Sequence, residues 1–250
     1  MHFEFIEISY NKLDITNGEY ISINNNKILD TKNYIFLKGS LILGFYISEF
    51  FSDDDFSNKD LIHLLTKNIP TTQNRSDIGG KINTSKMFDC YKQYINSETK
   101  YNKNNTRVMK TDKVKYSFSN NTKSKLLNKE NSILKKLVKK VSKITKKFFS
   151  IQETDKAFEC YSHCIINKQL RSAIHQDSNN KKDSLSALIS LSMDRKLKKS
   201  YLNLVDLDLS IPMVSNRSLL VFPLVDWRHS NNMIKEEELE GRISIVFFDK

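Results

Sequence analysis

Arg171-Ser-Ala-Ile-His175-Gln-Asp177-Ser-Asn179-Asn180 is the stretch on which the last third of this chain turns. In an extended strand successive side chains alternate between faces, so His175 and Asp177 point the same way, about 7 Å apart. An imidazole and a carboxylate in that relation can take two adjacent positions on one metal ion. The third partner of such a pair is a histidine from a later strand, and His229 stands in Val225-Asp-Trp-Arg-His229-Ser. Arg242-Ile-Ser244 follows and opens the alternating strand Arg242-Ile-Ser-Ile-Val-Phe-Phe248. No single piece carries the reading; their order does.

Short apolar segments surround this stretch. Ala157–Ile166 reads as a strand with an Asn167-Lys-Gln turn after it, Ser172–Asp177 as the next strand, and Ser178–Asp183 as a loop. Ser184–Leu191, Tyr201–Leu209, Ser218–Phe222 and Ile243–Phe248 continue the series, with a very basic loop at Met193–Lys199. Short, regularly spaced strands without a long helix among them argue a β barrel or sandwich. Ahead of them Leu134, Leu137, Val141, Ile144 and Phe148 recur at helical steps, with lysines filling the gaps. That spacing predicts an amphipathic helix from about Asn131 to Phe149, capped by Asn131 or Ser132.

Towards the N-terminus the pattern changes. Between Asn96 and Lys125 hydrophobic periodicity disappears under Asn, Lys, Thr and Ser, which predicts a linker or mobile excursion. Lys86–Ile95 reads as a short helix carrying Cys90, Ile69–Gly80 as a loop, and Asn58–Leu65 as a helix behind the acidic Asp53-Asp-Asp55. Residues 1–50 read as β-rich. Phe3–Ile8 alternates, Tyr20-Ile-Ser-Ile is β-branched, and Tyr34–Ile47 gives two apolar runs split by Lys38-Gly39-Ser40. The expected division is a support layer over 1–95, a basic mobile excursion over 96–126, and a helix plus β core over 127–250, all in one domain.

A chain of 250 residues is long enough for a real core. The formal net charge of +11 favours polyanionic partners such as nucleic acid, though Lys, Asn and Ile are used heavily throughout. Three cysteines make no disulfide framework and point to a reducing, intracellular compartment. The N-terminus lacks the basic-then-apolar order of a secretory signal, and the most apolar window, Tyr34–Ile47, is too short to span a membrane. A soluble protein is expected. Phosphate-binding Gly-rich loops, nucleophile elbows and zinc-peptidase motifs are absent from the sequence.

Two histidines and a carboxylate on one face suit non-haem Fe(II), leaving positions for a bidentate 2-oxo acid and dioxygen. The far carboxylate of that co-substrate needs a cation, and a guanidinium meets it with two parallel hydrogen bonds. Arg242 stands on the strand where such a group is wanted, and Ser244 shares its face and can donate another bond.

This order of residues resembles the Fe(II)/2-oxoglutarate dioxygenases. More narrowly, Ile166 through Asn180 and the ending Glu240-Gly-Arg242-Ile-Ser244-Ile-Val-Phe-Phe resemble the TET and base-J-binding-protein group. The resemblance implies an α+β chain with a double-stranded β-helix core of jelly-roll or cupin type, packing helices and a β-rich N-terminal layer. It implies that His175, Asp177 and His229 hold Fe(II), that Arg242 and Ser244 anchor 2-oxoglutarate, and that a C–H bond, often of a methyl group, is hydroxylated. A base in nucleic acid is the implied target, which would bring Asn167, Asn180 and Trp227 towards it. Arg195, Lys196, Lys198 and Lys199, in a loop bordering the mouth, could then meet the phosphate backbone. The chain departs from the group at its turns: Asp194-Arg-Lys-Leu and Ser215-Asn-Arg replace glycine-rich turns, and Ser230 follows the distal histidine.

Plainer readings stand beside these. Trp227 fits an ordinary core tryptophan as well as a pocket wall, and Asp226 a solvated carboxylate. Cys160, His163 and Cys164 invite a zinc site with Cys90, but strand alternation puts 163 on the opposite face from 160 and 164, which favours buried core cysteines. The helix lysines read as a wet face, with phosphate tracking as the alternative. Two other functions remain open: the same oxygenase chemistry on a protein side chain or small molecule, and a non-enzymatic basic nucleic-acid-binding protein on a decayed fold.

Overall fold

The computed structural model describes residues 1–9, 27–51, 73–75, 80–94, 100–101, 107–108, 114–120, 128–149, 161, 163–168, 172–178, 180–192, 200–213, 217–231 and 242–249. In chain order the first strands are β1 (Glu4–Glu7), β2 (Lys27–Ile28), β3 (Tyr34–Lys38), β4 (Leu41–Ile47) and β5 (Gln73–Arg75). Next come β6 (Gly80–Tyr94), β7 (Lys100–Tyr101), β8 (Arg107–Val108), β9 (Val114–Asn120) and the helix α1 (Asn128–Phe148). Then follow β10 (His163–Lys168), β11 (Ser186–Ser192), β12 (Tyr201–Leu204) and β13 (Leu209–Pro212). The last are β14 (Ser218–Phe222), β15 (His229–Asn231) and β16 (Arg242–Phe248). The described residues are thus strand-dominated with one α-helix, a β-rich arrangement of jelly-roll type. No helix among them is long and apolar enough to cross a membrane.

The chain forms two compact units, Met1–Lys86 with Cys164–Lys250, and Met87–His163. In the first, a large sheet runs in the order β1-β3-β4-β14-β11-β16-β10. A smaller sheet runs β15-β12-β13-β2, and the extended segment through His175 pairs with the free side of β15. Tyr46, Phe36, Leu188 and Phe222 from the large sheet form one buried cluster with Leu204 and Ile211 from the small one. Hydrogen bonds also cross between the sheets: Tyr46 Oη donates to the Pro212 carbonyl at 2.7 Å and Ser190 Oγ to the Met213 carbonyl at 2.8 Å.

Local chemistry explains the joints. Gly39 closes the β3–β4 hairpin at φ 59°, a left-handed conformation that costs glycine little. At Gly44 a Cβ would lie 2.4 Å from the Val221 carbonyl oxygen and 2.5 Å from the Phe222 ring, so β4 can approach β14 this closely only without a side chain. The run expected as one strand over Tyr201–Leu209 is instead two. A 3-10 turn at Val205–Leu207 and Asp208 at φ 51° fold β13 back on β12, with Leu204 opposite Leu209.

Other differences follow from long-range pairing. Residues 86–94, read as a helix, lie in β6, and from Phe88 to Tyr94 that strand pairs with β9. The stretch read as a patternless excursion contains β9 and the β7–β8 pair. Asn167 and Lys168, expected in a turn, belong to β10, and only His175 of the expected 172–177 strand makes a ladder bridge. The N-terminal strands β1, β3 and β4 extend the large sheet through the β4–β14 pairing. The expected elements at Tyr20–Ile23, 53–65 and 193–199 lie outside the described residues.

In the second unit α1 lies beside β9. Leu134, Leu137, Val138, Val141 and Thr145 form its buried stripe, and Lys136, Lys139, Lys143 and Lys147 are exposed, as the helical spacing requires. Tyr161 is buried with its hydroxyl 3.5 Å from Thr145 Oγ1, and burial pushes its phenol up to about 12.

Candidate metal centre

His175 and His229 are joined backbone to backbone. The His175 amide donates to the His229 carbonyl at 3.0 Å and the His229 amide to the His175 carbonyl at 2.8 Å. Residues that exchange both bonds of an antiparallel ladder stand directly opposite, with side chains on one face. The two imidazole rings accordingly lie 4.4 Å apart. Leu204 is the partner of His229 on its other side, so the ligand face of β15 is also the face that looks into the core.

The second atom of each ring fixes its tautomer. His175 Nδ1 donates to the Ala173 carbonyl at 2.8 Å, and His229 Nδ1 to the Trp227 carbonyl at 3.0 Å. A carbonyl only accepts, so each Nδ1 carries a proton, and in the neutral ring each Nε2 presents a lone pair. Those lone pairs meet Asp177, whose Oδ1 is 3.7 Å from His175 Nε2 and whose Oδ2 is 3.8 Å from His229 Nε2. Ligand atoms of all three residues lie within 4.8 Å of one another. Converging acceptors at these distances repel unless a cation stands among them, so the donor set fits a divalent metal. The His229 side chain is 5 % exposed, that of His175 18 % and that of Asp177 28 %, which opens the cluster to solvent on the carboxylate side.

Neighbouring side chains hold the ligand segments. Asn180 Nδ2 donates to Asp177 Oδ2 at 3.4 Å, and the Asn180 amide to the Asp177 carbonyl at 2.9 Å. Gln176 Nε2 donates to the Val225 carbonyl at 2.6 Å, tying the first ligand segment to the loop before the second. Ser172 Oγ accepts from both the amide and Nδ2 of Asn231, at 3.1 and 2.9 Å. Sequence reading missed Gln176, Ser172 and Asn231 because their partners lie far away in the chain.

The remaining expected site residues fall in different places. Ser244 is half-buried on β16 opposite Ser190, and Asn167 Nδ2 donates to its Oγ at 3.2 Å. Asn167 is buried, beside Ser244 and not on the surface. Arg242 pairs in backbone with Ser192, and its side chain lies outside the described residues. Trp227 packs against the core cluster, its ring 6.5 Å from that of Phe222. Arg195, Lys196, Lys198 and Lys199 lie outside the described residues. Asp226 is exposed, and partial desolvation together with the Asp183 carboxylate raises its carboxyl against the pull of Lys182. Cys164 is buried and its neighbour His163 half-buried; residue 160 and the Cys90 side chain lie outside the described residues.

No protein-family model matches the chain, and no curated protein does. Solved structures similar to it include NgTET1 in complex with 5mC DNA, at 13 % identity and a TM-score of 0.48 over 90 % of this chain and 83 % of that one. An oxidoreductase of the 2OG-Fe(II) oxygenase family from Burkholderia pseudomallei is similar at 14 % identity and a TM-score of 0.46, over 81 % and 83 % of the two chains. OsALKBH1 is similar at 15 % identity and a TM-score of 0.40, over 82 % and 96 %.

Proposed function

We propose that the chain is an Fe(II)/2-oxoglutarate-dependent dioxygenase that hydroxylates a C–H bond, in the favoured case a methyl group on a base in nucleic acid. The observation that carries this reading is the His175–His229 ladder pair with Asp177 set across both Nε2 atoms. Strand order supports it. The sequence of β10-β16-β11-β14 on one side and the His175 segment-β15-β12-β13 on the other is the interleaving expected of a double-stranded β-helix.

In this reading His175, Asp177 and His229 hold the metal, with their free atoms fixed by backbone carbonyls and by Asn180. Arg242 and Ser244 receive the far carboxylate of 2-oxoglutarate, and Asn167 braces Ser244. Bound iron and 2-oxoglutarate supply the oxidation of the substrate by dioxygen, with succinate and carbon dioxide as co-products. The protein contributes orientation and exclusion of water: His229 is sealed by Leu204 and the core, and the exposed edge at Asp177 is the approach for substrate. The net charge of +11 supports a polyanionic substrate.

Anaerobic titration with Fe(II) and 2-oxoglutarate tests the site. A visible metal-to-ligand charge-transfer band is expected, and a folded protein without it sinks the reading. Mass spectrometry of DNA and RNA after turnover tests the substrate. Unchanged bases alongside succinate formation would move the target to a protein side chain or small molecule.

A further inference from the structure

β15 is three residues long, too short for its own ladder to secure its register, and a one-residue slip would turn His229 away from Asp177. We propose that Asp206 is the positioning residue that sets the distal ligand, acting through Arg228; the proposal rests on the metal reading above. Asp206 sits in the Val205–Leu207 turn, and its side chain is buried. It accepts three hydrogen bonds from the residue that precedes His229. Arg228 Nε and Nη2 donate to its Oδ1 at 2.8 and 2.6 Å, and the Arg228 amide donates to its Oδ2 at 2.9 Å. The Arg228 carbonyl in turn accepts from the Val205 amide at 2.9 Å.

Every polar group of the Arg228 backbone is therefore anchored to the turn between β12 and β13. The same anchor fixes the peptide joining Trp227 to Arg228, whose carbonyl orients the His229 ring through Nδ1. A guanidinium gripping one carboxylate oxygen while the backbone amide takes the other leaves a single placement for the strand entry. Asp206 touches neither metal nor substrate in this account; it decides where Nε2 of His229 points. Partners of this kind behind a ligand carry about 10- to 100-fold in metal affinity.

The test uses the full chain with Co(II) as the metal probe, without oxygen or co-substrate. Calorimetric titration gives the dissociation constant, and melting curves with and without Co(II) give the metal-induced gain in Tm. For Asp206→Asn a rise of about 10- to 100-fold in the dissociation constant is expected, with a smaller metal-induced gain in Tm. Arg228→Lys keeps the backbone bond to Asp206 and should lose less, and it decides the matter if Asp206→Asn does not fold. A pair that only stabilises the fold would lower the melting temperature of the metal-free protein and leave the dissociation constant of the folded variant at the parent's value. That result overturns the proposal and leaves the metal site standing. A parent chain that binds no Co(II) overturns both.

Discussion

The two sheets of the first unit are held by different forces. The large sheet is apolar at its centre: Ala187, Ile189, Leu219, Val221, Ile245 and Phe247 are completely or almost completely buried, on strands of five to seven residues. The small sheet has shorter strands and buries a row of polar side chains. On the face away from His229, Ser210 Oγ donates to Asn203 Oδ1 at 2.8 Å and Asn203 Nδ2 donates to Ser230 Oγ at 3.2 Å, in register across β13, β12 and β15. Apolar contact is non-directional and tolerates small shifts, whereas hydrogen bonds demand a register. In the proposed reading the sheet that aims the ligands is the one with directional side-chain bonds on its other face, resting on a sheet that supplies bulk stability.

Removing a ligand should separate the two most sharply. Asp177→Ala or His229→Ala should abolish metal binding, a loss of more than about 100-fold, beyond what the partners behind ligands carry. Circular dichroism should show the fold retained, because neither residue belongs to the apolar cluster; loss of the fold would mean that the small sheet carries stability as well as aim. In the large sheet Phe222→Ala should cost about 3–5 kcal/mol in denaturant unfolding, since a fully buried ring leaves a cavity. Gly44→Ala should cost about 1–3 kcal/mol by overpacking against Val221 and Phe222.

A cut into the polar row sharpens the contrast. Asn203→Ala removes the side-chain bonds to the Ser210 and Ser230 hydroxyls within a buried row and should cost about 1–3 kcal/mol. Its more telling effect is on the ligands: metal affinity should fall as well, because β15 loses one of its ties. Phe222→Ala should leave affinity nearly unchanged when measured under folding conditions. Equal effects of both changes on affinity would show that the sheets are not divided in this way.

What was legible in the sequence was local. The helix α1 announces itself by spacing, the β3–β4 hairpin by Lys38-Gly39-Ser40, and β14 and β16 by short apolar or alternating runs. His175 and Asp177 show through strand alternation, and His229 through its place in the order. What stayed hidden depends on partners distant in the chain. Phe88 to Tyr94 has no decisive period of its own, and its pairing with β9 settles it as strand. The turn at Val205–Leu207 sits in a run where apolar residues alternate with Asn203, Asp206 and Asp208, and the left-handed backbone of Asp208 breaks it. Asp206 and Asn203 carry no signal in the sequence, because their partners Arg228, Ser210 and Ser230 meet them only in the folded chain.

The smallest expected effect concerns Cys164, on β10 of the large sheet. The thiol is completely buried, and burial pushes its pKa well above the ordinary range. The thiolate is the reactive form, so raising the pKa lowers its fraction at every pH below that value, and burial blocks access besides. Iodoacetamide at pH 8, read by peptide mass mapping, should leave Cys164 unmodified in the folded chain and alkylate it fully in urea. Chelator treatment should change neither result, because packing is the shield expected for the sulfur. Rapid alkylation of the native chain, or protection that a chelator removes, would mean that this part of the large sheet is not the inert apolar scaffold its packing describes.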